Sequence, residues 1–254
     1  MAKKGLSINQ IKVIAAVSML IDHVGYFIFP KVTLLRVIGR LAFPLFAFCI
    51  AEGCRYTRNR LRYWLQMVIC AVVFQVVAIF SVGGFDAFLG GNALSLVPIN
   101  IFGTFSVGIL ICYLFDAVKS KKGLGFILFL LVVFVVYAVS RYVEFDYGFV
   151  GTLVPLSAFV FDQKQEKTDE PRLDLEPKVP ASNVGKWAKF LCFTLALLTL
   201  SSTCGWNVQY YCLFAVPILS LYGGHYGSKK YKYWFYVFYP VHLILIYAVN
   251  FLIK

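Results

Sequence analysis

The chain has 254 residues, of which 60% are hydrophobic, 18% aromatic and 14% charged, at a mean hydropathy of +0.77. No soluble domain of that length could hide so much apolar surface in one core, so the composition excludes a water-soluble protein and indicates an integral membrane one. The formal net charge of +12 would suit nucleic acid, but the Lys and Arg residues cluster in short connections between apolar runs, which reads as topology and excludes a nucleic-acid partner.

The apolar runs are continuous for roughly 17 to 25 residues instead of alternating every second position, so they predict helices and not barrel strands. The expected architecture is an all-α polytopic bundle of about nine transmembrane helices (eight to ten), a single domain over 1–254 in membrane lipid. The spans fall near 11–30, 33–52, 63–82, 97–118, 123–140, 147–162, 187–203, 208–222 and 233–252.

The first span, IKVIAAVSMLIDHVGYFIFP, carries Asp22 and His23. A charge in hydrocarbon costs about 2.5 to 3.5 kcal/mol on insertion scales, so an acid and an imidazole kept there point to function. The run lacks a small-residue cleavage site and is longer than a signal h-region, so it is expected to remain as a span. The second span carries Arg36 and Arg40, which share one helical face at i and i+4. At 1.5 Å per residue, Arg40 and Asp22 both lie about 10 to 12 Å below the outer edge, so they are expected to pair. Asp22 and His23 point about 100° apart, which leaves His23 free to face a cavity. Pro44 removes a backbone donor from the second span, a loss tolerated where protein or a cavity satisfies the freed group.

The fourth span begins with Asn100 and Thr104 on one face, and Asp146 and Tyr147 open the sixth from outside. These four are candidates for an acceptor-binding pocket in the outer half, against capping or interfacial anchoring. Glu52 and Asp116 stand beside basic loops and read as charge balance, and Trp64, Trp187 and Trp234 as aromatic-belt anchors. Residues 162–183, rich in acids and poor in large apolar residues, are expected to form a disordered cytoplasmic linker. The last span places His242 near the midplane, just after Pro240. Seven cysteines without a CxxC pair give neither a disulfide framework nor a metal site.

With the N-terminus in the cytoplasm, nineteen of the 24 Lys and Arg residues fall inside and only Lys31, Arg36, Arg141 and Lys254 outside, with Arg40 within its span. That is a strong positive-inside bias.

SMLIDHVG in the first span, LRVIGRLAFPLFAFCIAEG followed by YTRNRLRYW in the second, DYGFVG in the sixth and FYVFYPVHLILIY in the last resemble the TraX family. That family is named for the conjugative-pilus protein that N-acetylates F-type pilin, and it is distantly similar to membrane-embedded acyltransferases such as lysosomal heparan glucosaminide N-acetyltransferase. The resemblance covers nearly the whole chain outside 162–183. It implies a multi-pass enzyme of the cell membrane that takes acetyl-CoA from the cytosol and acylates an amine or hydroxyl of an acceptor peptide, such as a pilin-like N-terminus, or of a glycan. It also implies a catalytic histidine in an early helix, here His23.

Acyl transfer needs a base, a donor or cation for the oxyanion, and exclusion of water. An imidazole with a reference pKa of about 6.5 suits the base, so the catalytic candidates are His23 with Asp22 and Arg40, and His242 as second base or oxyanion donor. Arg36, or Arg40 beside it, would steady charge at the reacting carbonyl. Arg36, Arg55, Arg58, Lys229 and Lys230 are the candidates for binding the polyanionic acetyl-CoA, and no metal is expected. A proton-coupled transporter using the same buried Asp, His and Arg residues is the competing reading, weakened by the lack of an internal repeat, and a non-catalytic scaffold is a third.

Overall fold

In lipid a helix is the one spanning element that satisfies its own backbone without neighbours, and the long apolar runs of this sequence fold that way. The computed structural model describes residues 5–89, 97–119, 123–161, 183–205, 207–225 and 234–253. They form α1 (Ile8–Phe27), α2 (Thr33–Gly39), α3 (Ala42–Tyr56), α4 (Arg60–Leu89), α5 (Ile101–Val118), α6 (Leu124–Ser140), α7 (Gly148–Phe159) and α8 (Asn183–Cys204). A 3₁₀ segment (Asn207–Phe214), α9 (Ala215–Ser220) and α10 (Trp234–Ile253) complete the order. Among the described residues there is no strand, and extended pairing is limited to two isolated bridges, Leu6 with Tyr222 and Ile99 with Phe145. The predicted linker lies outside the described residues except for Asn183, which begins α8.

Five helices among the described residues are long and apolar enough to cross a membrane: Ile8–Phe27, Thr33–Tyr56, Arg60–Ile79, Ile101–Val118 and Trp187–Cys204. The segments Leu124–Ser140 and Gly148–Phe159 are apolar but shorter.

Three elements depart from the predicted spans for local reasons. The first helix starts three residues early because Ser7 closes a capping box: its hydroxyl accepts from the Gln10 N–H at 3.3 Å, and its own N–H donates to Gln10 Oε1 at 2.8 Å. The second span is interrupted at Arg40–Leu41, where Leu41 N–H bonds the Ile38 carbonyl at 3.2 Å, one residue short of helical spacing. Pro44 lies four residues beyond Arg40, has no N–H for the Arg40 carbonyl and crowds it, which opens the ladder there. The eighth predicted span is a 3₁₀ turn followed by a short α-helix, with Pro217 inside the latter.

The chain divides into two compact units, Met1–Cys49 with Phe161–Lys254, and Ile50–Val160, the division falling within α3. In the first, α1 packs on α2 and α10, and the 3₁₀ segment packs on α2, α8 and α9. Its core holds Ile11, Ala15, Leu45, Leu197, Leu200 and Leu219, with Phe48 edge-on to Phe193 and Tyr222. In the second, α5 is the central helix, in contact with α4, α6 and α7. Leu61, Leu65, Ile69, Val72 and Val76 form one exposed stripe along α4. In water such a stripe would be an aggregation hazard; against acyl chains it is the expected surface.

Candidate functional site

Two glycines decide how closely α1 and α2 approach. A Cβ on Gly39 would collide with the Asp22 carboxylate and its Cβ, and one on Gly25 would stand 2.7 Å from Leu35 Cβ. The close fit brings Asp22 to both arginines: Arg36 Nη1 donates to Oδ2 at 2.9 Å and Arg40 Nη2 to Oδ1 at 2.7 Å. The pairing of Asp22 with Arg40 expected from depth is present, and Arg36 joins it on the other carboxylate oxygen. Arg36 also donates to the Asp22 carbonyl at 3.3 Å and stacks over Tyr26, 5.0 Å from the ring centroid. Two guanidiniums on one carboxylate give the trio a formal charge of +1, which favours negative charge nearby. Gly39→Ala should therefore lower both melting temperature and activity, with overpacking costing about 1–3 kcal/mol; thermal unfolding in detergent checks the first effect.

Arg40 is 5% exposed and is held on three sides. Its Nε donates to the Arg36 carbonyl at 3.3 Å, Nη2 to Asp22, and Nη1 to Gln209 Oε1 at 3.2 Å. Gln209, in the 3₁₀ segment and 1% exposed, was absent from the sequence-derived candidates. Its sequence signal is a lone amide within an apolar span, fainter than a formal charge because a neutral amide costs less to bury.

His23 and His242 meet although 219 residues separate them: His23 Nδ1 lies 2.8 Å from His242 Nε2, with ring planes 12° apart. His242 is 3% exposed and stacks on Phe238 with centroids 5.0 Å apart. The direction of the hydrogen-bond chain follows from its end. The Phe238 carbonyl, 2.9 Å from His242 Nδ1, can only accept. With both rings neutral, His242 therefore carries its proton on Nδ1 and accepts on Nε2 from His23 Nδ1–H. That assigns the lone pair of His23 to Nε2, an atom with no hydrogen bond among the described residues. An imidazole so oriented is arranged as a base.

The remaining described candidates belong to the second unit. Within the second unit, Asn100 caps α5, accepting from Phe102 and Gly103 N–H at 3.0 and 3.3 Å, and its amide donates to the Ala71 carbonyl and Gln75. Thr104 donates to the Asp146 carbonyl at 2.9 Å, and Tyr147, at φ 63°, precedes α7. Asn100, Thr104 and Asp146 thus share one local network in which Asn100 is the cap, while Tyr147 takes the N-cap position of α7 without a side-chain cap bond. Arg55 pairs with Glu52 at 3.8 Å and lies over Tyr56, while Arg58 is exposed in the turn after α3. Asp116 holds both Arg60 and Lys119, as charge balance predicts. Lys229 and Lys230 lie outside the described residues. Trp187 is 74% exposed, as a belt anchor would be, whereas the buried Trp64 indole N–H meets no partner among the described residues.

A family model described as "TraX protein" matches residues 7–175 and 178–250. The chain is also similar to the uncharacterized protein RP591 of Rickettsia prowazekii (strain Madrid E), at 31% identity over 86 residues, 34% of this chain and 32% of that protein. The alignment thus spans about a third of the length of that relative. No solved structure matches the chain.

Proposed function

Because the chain belongs to the TraX family, we propose that it is an integral membrane acetyltransferase, moving an acetyl group from cytosolic acetyl-CoA to an amine or hydroxyl of a peptide or glycan acceptor. The observation that carries this reading is the hydrogen-bonded pair His23 and His242, adjoining in sequence the Asp22 carboxylate that clasps Arg36 and Arg40. A base with an orienting partner, next to fixed cations, is what acyl transfer requires. The pilin acetylation for which the family is named supports the choice of acetyl as the group.

In this reading the protein sits in the cell membrane as a multi-pass protein of about nine spans, with its N-terminus in the cytoplasm where most Lys and Arg fall. His23 Nε2 removes the proton of the attacking amine or hydroxyl. His242 holds the His23 ring in the tautomer that leaves Nε2 bare, and accepts from Nδ1–H as charge develops on His23. Arg40, fixed by Asp22, steadies negative charge at the reacting carbonyl, and Arg36 shares the carboxylate. The phosphates of CoA call for cations, and Arg55, Arg58, Lys229 and Lys230 are offered for that role.

Reconstituted protein given radiolabelled acetyl-CoA and membrane extract from its host should transfer label to a peptide or glycan, identified by mass spectrometry. Label that stays on CoA, together with solute uptake into protein-loaded liposomes lacking acetyl-CoA, would replace this reading by a transporter.

A further inference from the structure

Gln209 is held at one end and open at the other. Its Oε1 accepts from Arg40 Nη1 at 3.2 Å, and its Nε2, buried in a residue 1% exposed, makes no hydrogen bond among the described residues. The amide cannot be turned over to relieve this, because Nε2 facing the guanidinium would oppose donor to donor. The Cys212 sulfur lies beside this amide as well as 3.5 Å from Ser201 Oγ, but a thiol is a weak acceptor and leaves the Gln209 N–H without a hydrogen bond of ordinary geometry. The Gln209 carbonyl is engaged separately, by Ser201 Oγ at 3.3 Å. Buried polar donors are nearly always paired in folded proteins, so an enclosed N–H pair beside a fixed guanidinium marks a place for an oxygen that the described residues do not supply.

We propose that the Gln209 side-chain amide is the hydrogen-bond donor to the carbonyl oxygen of the acetyl thioester, acting beside Arg40. This rests on the acetyltransferase reading and assigns the neutral donor that the reading lacked. As the acceptor nitrogen or oxygen bonds to the carbonyl carbon, the carbonyl π pair moves onto oxygen, which takes the Gln209 N–H while the acceptor's proton passes to His23. When the pair returns, the carbon–sulfur bond breaks, and the thiolate leaves with that proton as free CoA. A neutral donor and a cation, both positioned before the charge appears, stabilise the intermediate without reorganising. The amide orients through Arg40, so the Asp22 clasp also sets the donor's aim.

Gln209→Glu separates the two ends of the side chain, since it keeps an acceptor for Arg40 and removes the donor. In purified, reconstituted protein with radiolabelled acetyl-CoA, this variant should melt at or above the wild-type temperature and lose about 10²- to 10³-fold in kcat. The KM for acetyl-CoA should change far less than kcat. Gln209→Asn, which keeps a donor on a shorter arm, should turn over faster than Gln209→Ala. A Gln209→Glu protein with wild-type kcat, or Asn and Ala variants with equal kcat, would overturn the role of Gln209 while leaving the acetyltransferase reading in place. Wild-type protein that never cleaves the thioester would overturn that reading, and this role with it.

Discussion

Alanine at position 23 should reduce acetyl transfer by about 10²- to 10⁴-fold, the contribution of a positioned general base, while the protein still folds. The hydrogen-bond chain makes the result specific. His23→Ala removes the proposed proton acceptor, whereas His242→Ala removes only the partner that sets the His23 tautomer and should leave a larger residue of activity. His242→Gln retains an oxygen able to accept from His23 Nδ1–H and should exceed His242→Ala in rate. The measurement is initial-rate transfer from labelled acetyl-CoA, with elution on size exclusion as the check on folding. Near-normal turnover in folded His23→Ala protein would remove His23 from the chemistry.

A comparable loss is expected from Asp22→Asn, through stability more than chemistry. Asp22 holds both guanidiniums with side-chain exposures of 15% for the acid, 19% for Arg36 and 6% for Arg40. Taking away the carboxylate that holds both guanidiniums leaves two close, largely buried cations facing each other without it, which costs about 3–5 kcal/mol. The melting temperature of Asp22→Asn should fall sharply, and Arg40→Gln alone should also destabilise by leaving Arg36 to balance Asp22 without its partner. The double variant should recover part of the stability, because the two losses share one interaction, and should remain inactive. A double variant that is both stable and active would reduce the Asp22–Arg40 pair to a clip between helices.

Sequence made the first two spans readable in some detail. Burial cost singled out Asp22, His23 and Arg40, and counting residues from the outer edge put the acid and the guanidinium at one depth, where they meet. The i, i+4 relation of Arg36 to Arg40 puts both on one face, and that face brings Arg36 to the second oxygen of the Asp22 carboxylate. The His23–His242 contact was not legible, because no local pattern relates the rotation of the first helix to that of the last. Gln209 escaped for a related reason. Its amide matters through what the Arg40 guanidinium leaves open, a property of three side chains from different segments. The local breaks were more accessible: Ser7 and Gln10 spell the capping box that moves the first helix start, and Pro44 marks the interruption at Arg40.

The amino end of α1 is moored before the helix begins. Leu6 N–H bonds the Leu221 carbonyl at 2.7 Å, the Gly223 N–H returns to the Leu6 carbonyl at 2.9 Å, and Ile8 N–H bonds the His225 carbonyl at 3.0 Å. A slip of one residue along a helix shifts every side chain by about 1.5 Å and swings it by about 100°. This short backbone tie thus sets the axial setting of a rod whose far end carries Asp22 and His23, roughly 20 Å away. Fusion partners crowded against Gly5 would pull on Asp22 and His23 as a rope pulls on a bell, and a generous spacer ahead of that glycine is the safer arrangement for assays.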